Sequence, residues 1–274
     1  MGEPMRDTRH EPEREPMRGA SRYAACDSRW DAMLPGASWP RRRRALRDLF
    51  ETIAPSYDRL NHWLSLGLDQ SWRARAAREA IPRNERALVL DLASGTGDQV
   101  MALLDRSRTA RVIRLDLSAD LLRRAAPKLP TSGAEKADAP PVVAEMELLP
   151  VRPGSCDAIT MAYALRHVES LERLMAGCAR ALRPGGRVSF VDMALPQRGL
   201  WARLYLFYFR SCLPAVAALL GGDRAAYQTM VRSVESFPGW ERLDEAARAA
   251  GFTGRRAIPL TGGSARVFTA TLGK

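Results

Sequence analysis

Residues 87–98 read ALVLDLASGTGD, and this stretch decides the fold. ALVLDLA is an apolar run of strand length, SGTGD is a glycine-bearing turn, and residues 99–106 have helical spacing. Working outward, the pattern repeats. VIRLDLS (112–118) reads as a second strand with its helix over 119–126, and VVAEM (142–146), DAITMAYAL (157–165) and GRVSFVDMA (186–194) as further strands. A helix over 171–182 is closed by Arg183-Pro184-Gly185-Gly186, and a helix over 243–250 stops at Gly251 before two last strand-like runs, RRAIPL and RVFTATL. Strands alternating with helices predict an α/β fold, a mostly parallel sheet with helices on both faces. Ligands then sit at the carboxyl ends of the strands.

Toward the N-terminus the texture changes twice. Residues 1–44 mix Arg, Glu, Pro and Met without periodicity and end in four arginines at 41–44, which predicts a disordered basic arm. From Leu46 on, Leu49, Phe50, Ile53, Tyr57, Leu60 and Leu64 follow at spacings of three and four, interrupted by Pro55. Two short helices and a third over 70–80 are expected, a helical segment at 45–82 opening one domain that runs over 45–274. After the fifth strand an insertion at about 198–238 carries LWARLYLFYFRSCLPAVAALLGG at 200–222. Arg203, Arg210 and Pro214 interrupt it too often for a bilayer span, so it is either a buried lid or a surface that meets lipid or a greasy substrate.

With 46% hydrophobic and 27% charged residues, composition excludes a wholly disordered chain. Cys26, Cys156, Cys178 and Cys212 form no CxxC pair, which argues against a zinc or disulfide framework. The start is charged and lacks a secretory apolar stretch, so a cytoplasmic compartment is expected. The formal charge of +11 invites an anionic partner. Lysine occurs only at 128, 136 and 274, and the arginines are spread without a nucleic-acid-binding signature. No specific nucleic acid is expected; attraction to an anionic lipid leaflet is at least as good a reading.

The glycine turn carries the chemistry. Gly95 and Gly97 let the backbone turn sharply and let a ligand approach, and Asp116 ends the second strand where a carboxylate can accept both hydroxyls of a ribose. Gly95-Thr96-Gly97-Asp98-Gln99-Val100 lacks the third glycine of a dinucleotide fingerprint and sets Asp98 where a pyrophosphate would lie. S-adenosyl-L-methionine (SAM) has no phosphate and carries a sulfonium and an ammonium, so Asp91 and Asp98 favour it. No metal is required.

The stretch Phe50-x-x-Ile53-Ala54-x-x-Tyr57-Asp58-x-x-Asn61-x-x-Leu64-Ser65-x-Gly67-x-x-x-x-Trp72-Arg73 closely resembles the N-terminal segment of the quinone-biosynthesis C-methyltransferases, which methylate demethylmenaquinol and the ubiquinone precursor. The resemblance continues through Asp91 to Asp98, Ala164-Leu165-Arg166, Tyr205, Tyr208, Leu213-Pro214, Phe237-Pro238 and Leu260-Thr261-Gly262-Gly263, covering about residues 46 to 273. It implies a Rossmann-like class I SAM-dependent methyltransferase fold with a seven-stranded sheet and a helical insertion after strand 5. It implies a prenylated quinol as partner, most naturally demethylmenaquinol; the cost of drawing such a tail into water then predicts peripheral attachment to the inner membrane through residues 200–222, and a homo-oligomer is left open. Cofactor contacts then fall on Thr96, Asp116, Glu145, Met146 and Ala162. Three positions depart from the family. Glu145-Met146 is bulkier at the adenine pair, Ala162 replaces a serine, and Tyr163-Ala164-Leu165-Arg166-His167 ends in histidine where the family has asparagine.

C-methylation needs an electron-rich ring, a group that takes the hydroxyl proton, and a cation that holds the developing phenolate. His167 is the natural proton acceptor by its ordinary pKa and Arg166 the oxyanion holder, although His167 also reads as a helix cap. Tyr57, Asp58 and Asn61 are further candidates for the ring pocket; Tyr57 reads equally as a core tyrosine. His62 is solitary beside an apolar face. A methyltransferase for another small aromatic or lipid, and a SAM-binding, RNA-associated protein, are the alternatives.

Overall fold

The computed structural model describes residues 38–65, 67–130, 139–219, 224–237 and 239–273; of 51–61, 63, 64 and 217 it describes the backbone alone. The element order is α1 (Trp39–Leu64), α2 (Leu68–Ala80), β1 (Leu88–Leu92), α3 (Asp98–Arg106), β2 (Arg111–Asp116), α4 (Ala119–Ala125), β3 (Pro141–Val143), β4 (Cys156–Ala162), α5 (Leu171–Ala181), β5 (Leu182–Met193), α6 (Gly199–Phe207), α7 (Leu213–Leu219), α8 (Arg224–Glu235), α9 (Trp240–Ala249), β6 (Phe252–Leu260) and β7 (Ala265–Leu272).

One seven-stranded sheet runs in the order β3-β2-β1-β4-β5-β7-β6. β1 pairs in parallel with β2 on one side and β4 on the other, and β7 is antiparallel to both β5 and β6. Strand side chains alternate between the faces. Val89, Val112 and Ala158 pack with α2 and α3 through Ala77, Ile81, Val100 and Leu103, while Leu90, Leu115, Ile159 and Met161 pack with α5 and α9 through Leu174, Met175 and Leu243. Both faces of the central strands are thus dry, which is why they read as nearly continuous apolar runs. The strand order reverses between β1 and β4, and that switch point opens the crevice at the carboxyl edge.

Several boundaries move for physical reasons. The third strand ends at Val143, not at residue 146, because Ala144 to Met146 leave the sheet to wall the crevice. The fourth ends at Ala162: Tyr163 takes φ 62° and turns the chain into a 3-10 turn, Leu165–His167. The Pro-Gly-Gly turn is a bulge within β5, with Leu182 opposite Cys156 and Arg187 opposite Ala158.

Two expectations for the helices are corrected. Helix α1 is continuous across Pro55 and starts at Trp39, so residues 41–44 are helical and not part of an irregular arm; residues 1–37 lie outside the described residues. Leu46 and Leu49 bury against Ala226 of α8, which anchors this half of the helix. In the insertion, α6 passes into α7 through a π-helical turn, Tyr208–Cys212, directly before Pro214. The wider turn accommodates a proline that supplies no N–H, so the helix is deformed there and not ended.

Candidate active site

The crevice over β1, β2 and β4 is a cleft of about 130 Å³ walled by the turn Ala93 to Thr96, by Asp116 to Ser118, by Ala144 to Glu147 and by Ala162 to Ala164. Ala93 and Gly95 have φ 50° and 53°, and Gly97 has φ 87° as the residue before α3. Gly95 faces the cleft. Gly97 is required by packing instead: a Cβ there would lie 3.1 Å from that of Ala125, and it does not line the cleft.

Asp116 is the hinge of this wall. Its Oδ2 accepts the Gly95 N–H at 2.8 Å and its Oδ1 the Ser118 N–H at 2.8 Å, tying the glycine turn to the end of β2. Burial raises its pKa and these N–H groups oppose the rise. A carboxylate offers about four lone-pair sites, so both oxygens retain capacity for a further donor. Asp91 lies beneath the turn, 0% exposed, and does not line the cleft. Its Oδ1 accepts from Thr160 at 2.7 Å, its Oδ2 has no hydrogen-bond partner, and burial lifts its pKa to about 6.

Helix α1 closes the cleft from above. Trp39, Arg43, Leu46, Arg47 and Phe50 line it; Arg43 pairs with Glu145, Arg42 donates to the Arg166 carbonyl at 2.9 Å, and Phe50 meets the His167 ring edge-on at 5.7 Å. Arg42 and Arg43 are therefore engaged with the domain, leaving Arg41 and Arg44 as the exposed pair of the four-arginine run.

A second cavity, about 290 Å³ and mostly apolar, lies beside the first, between α2, α6, the π-helical turn and the Thr261–Gly263 turn. Trp72, Trp201, Leu204, Tyr205, Tyr208, Phe209, Leu213 and Met230 form its walls, with Asp69, Arg73 and Arg166 as its charged groups. Trp72 Nε1 donates to Thr261 Oγ1 at 2.9 Å and ties α2 to the Thr261–Gly263 turn. Asp69 Oδ1 accepts from Ser65 Oγ at 2.8 Å and meets His62 Nδ1 at 3.2 Å.

The expected site residues separate accordingly. Gly95, Thr96, Asp116, Glu145, Met146 and Ala162 come together in the first cleft. Arg166 and His167, adjacent in sequence, face different cavities. Arg166 lines the second, its Nη1 2.6 Å from Asp192 Oδ1 and its Nε 3.2 Å from Ser233 Oγ. His167 lines the first, 4% exposed, with neither ring nitrogen hydrogen-bonded and its pKa held well below 6.5 by burial and then by Arg166 and Arg42. That argues against His167 as the acceptor of a substrate proton: it lies outside the second cavity and is a weakened base. Tyr57, Asp58 and Asn61 lie on α1, and their side chains fall outside the described residues. Sequence reasoning missed Asp69 with His62, and the aromatic wall from Trp201 to Phe209; the spacing of Trp201, Tyr205 and Phe209 at intervals of four was the available signal.

The first cleft fits SAM: its carboxylates Asp98, Asp116, Glu145 and Glu147 outnumber its arginines Arg43, Arg47 and Arg73, and it has no glycine-rich phosphate cradle. When bound, SAM supplies an electrophilic methyl on sulfur.

Comparison with known proteins agrees. Residues 40–271 match the model of the ubiE/COQ5 methyltransferase family. The chain is 36% identical over 212 residues to a demethylmenaquinone methyltransferase of Deinococcus radiodurans, 77% of this chain and 86% of that one. It is 36% identical over 224 residues to the ubiquinone/menaquinone biosynthesis C-methyltransferase UbiE of Syntrophotalea carbinolica, 81% of this chain and 92% of that one. Among solved structures, a SAM-dependent methyltransferase of Thermotoga maritima, described as a possible histamine N-methyltransferase, superposes with TM-score 0.55 at 16% identity over 82% of this chain and 98% of that one. Phosphoethanolamine N-methyltransferase 2 of Haemonchus contortus, bound to S-adenosylhomocysteine, does so with TM-score 0.58 at 14% identity, over 83% and 60%. These likenesses establish the class I methyltransferase fold. A donor cleft suited to SAM, an adjoining apolar cavity and a family match over almost all of the described chain converge on one statement: this protein is a SAM-dependent methyltransferase belonging to the ubiE/COQ5 family.

Proposed function

We propose that the enzyme C-methylates a prenylated quinol of menaquinone or ubiquinone biosynthesis, with demethylmenaquinol as first choice. One observation carries the reading: the donor cleft adjoins an apolar, aromatic-lined cavity whose walls include the exposed apolar side chains Trp201 and Leu204 of α6. A flat bicyclic ring suits the aromatic walls, and the activities for which the relatives are named point to the substrate class.

Asp116, Gly95 and Thr96 hold the donor's ribose and methionine side, and Glu145, Met146 and Ala162 its adenine side. The hydroxyl proton goes to Asp69, which replaces His167 in this role. Asp69 is the one carboxylate lining the second cavity among the described residues, and half-exposed His62, hydrogen-bonded to it, leads toward solvent. Tyr57, Asp58 and Asn61 of α1 stay candidates for the ring pocket on the family resemblance alone. Incubation of chemically reduced demethylmenaquinone and of the ubiquinone precursor with methyl-labelled SAM is the test; label in neither product refutes the assignment.

The membrane part of the reading rests on α6. Leu200, Leu204 and Phe207, at spacings of four and three, are 71%, 56% and 64% exposed, and Leu219 is 86% exposed, while Ala202 and Phe209 face inward. The segment is both a cavity wall and an apolar outer face. No helix of the described residues is long and apolar enough to cross a membrane. Each methylene withdrawn from water is worth about 0.8 kcal/mol, so a prenyl tail stays in lipid while its ring enters the cavity past Trp201 and Leu204. The enzyme works from the cytoplasmic side, attached peripherally to the inner leaflet.

A further inference from the structure

Of all the described side chains, Arg73 and Tyr163 are the two that line both cavities. A methyl group passing from donor to acceptor must cross the wall they form. Arg73 reaches it from α2 and is 9% exposed; its guanidinium carbon lies 4.7 Å from the centroid of the Tyr163 ring, and its Nε is 3.8 Å from Asp69 Oδ2. The positive φ of Tyr163 turns that ring into the junction. The other cation of that cavity, Arg166, does not line the donor cleft and is bonded to buried Asp192 at 2.6 Å, a tighter pairing than the 3.8 Å between Arg73 and Asp69.

We propose that Arg73 is the catalytic cation that holds the substrate's hydroxyl oxygen as a phenolate beside the transfer point, a role the residue pattern had suggested for Arg166. This rests on the quinol reading above and adds the residue that activates the ring. The balance is simple. The hydroxyl loses its proton and its oxygen pair is delocalised into the ring; a ring carbon bonds the methyl while the carbon–sulfur bond breaks and leaves its pair on sulfur. That carbon then loses its hydrogen as a proton, and the hydroxyl is reprotonated, for a net release of one proton. The oxygen bears most charge just before transfer, and a guanidinium in a water-poor wall stabilises it there. The charged and titratable groups around Arg73 are Asp69 on its own helix, Tyr163 after β4 and Arg166 on the following turn, with Asp91 of β1 close enough to feel its charge.

The direct probe is 4-nitro-1-naphthol, a hydroxyarene whose absorbance reports ionisation, titrated on the protein with S-adenosylhomocysteine present. On the unmodified enzyme its ionisation midpoint should fall by about one pH unit or more from that in water; Arg73→Gln should abolish the fall and Arg73→Lys should keep part of it. In turnover, Arg73→Gln should lower kcat by about 10²-fold to 10³-fold. SAM should bind it at least as tightly, because a cation has been removed beside a cationic ligand. A naphthol that fails to bind the unmodified enzyme, that binds without a downward shift, or whose shift survives Arg73→Gln overturns the assignment. If the shift depends on Arg73 but demethylmenaquinol is not methylated, the substrate reading fails and Arg73 serves another hydroxyarene.

Discussion

The carboxylate of Asp116 receives the backbone N–H of Gly95 at 2.8 Å, so the acid at the end of β2 and the glycine turn after β1 are one hydrogen-bonded unit. Its other oxygen receives the N–H of Ser118. Substitution therefore reaches the turn as well as the ligand. Asp116→Asn sets an amide N–H₂ against one of two N–H donors, so it resembles Asp116→Ala in effect and is no mild variant. Each should lose about 1–3 kcal/mol of stability and bind SAM at least tenfold more weakly. Thermal unfolding alongside calorimetric titration checks this; an Asn variant with normal Tm and SAM affinity refutes it.

Asp91 titrates near pH 6 in the folded protein and near the ordinary carboxylate value, about 3.9, when unfolded. Between those values the folded state binds more protons. Its contribution to stability is thus greatest at acid pH and is lost as pH rises to about 6, remaining absent above that. Asp91→Asn keeps an acceptor for Thr160 and removes the buried charge, so the ligand-free protein should gain about 2–3 kcal/mol at pH 7.5 by this linkage, with a flatter profile between pH 4 and 6. Urea unfolding across that range measures it.

The proton-acceptor assignment separates two residues. His167→Asn should leave the pH dependence of kcat/KM unchanged between pH 6.5 and 8.5, since burial and then Arg166 and Arg42 hold the His167 pKa well below 6.5. Asp69→Asn should lower kcat by about 10²-fold with SAM affinity preserved. An acid limb of the profile that disappears with His167 would return the role to histidine.

Arg166 and Asp192 form an ion pair with side chains 5% and 4% exposed. Removing one partner strands a buried charge, so Arg166→Met should cost about 3–5 kcal/mol, and Arg166→Met with Asp192→Leu should recover much of it. Additive losses in denaturant unfolding would show that the pair is not coupled.

Membrane attachment through α6 is tested where the helix faces outward. Leu204→Glu with Phe207→Glu should abolish flotation with anionic liposomes at any salt and leave far-UV circular dichroism unchanged. Leu206 and Phe209 of the same segment are unsuitable, because Leu206 is only partly exposed and Phe209, in the wall of the second cavity, is 1% exposed. Flotation that survives the Leu204 and Phe207 pair excludes this face.

The alternation of strands and helices, the glycine turn and its partner Asp116 were legible in the chain because each is local: periodicity, a positive φ at glycine and a carboxylate at a strand end need no distant contact. The family was legible in the N-terminal segment and in residues 205–238 for the same reason. What the chain could not reveal was direction. Arg166 and His167 are neighbours in sequence, yet the 3-10 turn sends one to the apolar second cavity and the other to the first cleft. Helix α1 keeps Pro55 and its arginines because Leu46 and Leu49 find Ala226, some 180 residues away, and such packing outweighs local propensity. Arg73 belonged to a recognisable motif, but its position in the wall between two cavities exists only once α2 packs against the turn after β4. Sequence determined which groups were present and the fold that carries them; tertiary packing decided which of them share a space, because burial, pairing and pKa are set by neighbours that the chain brings together only on folding.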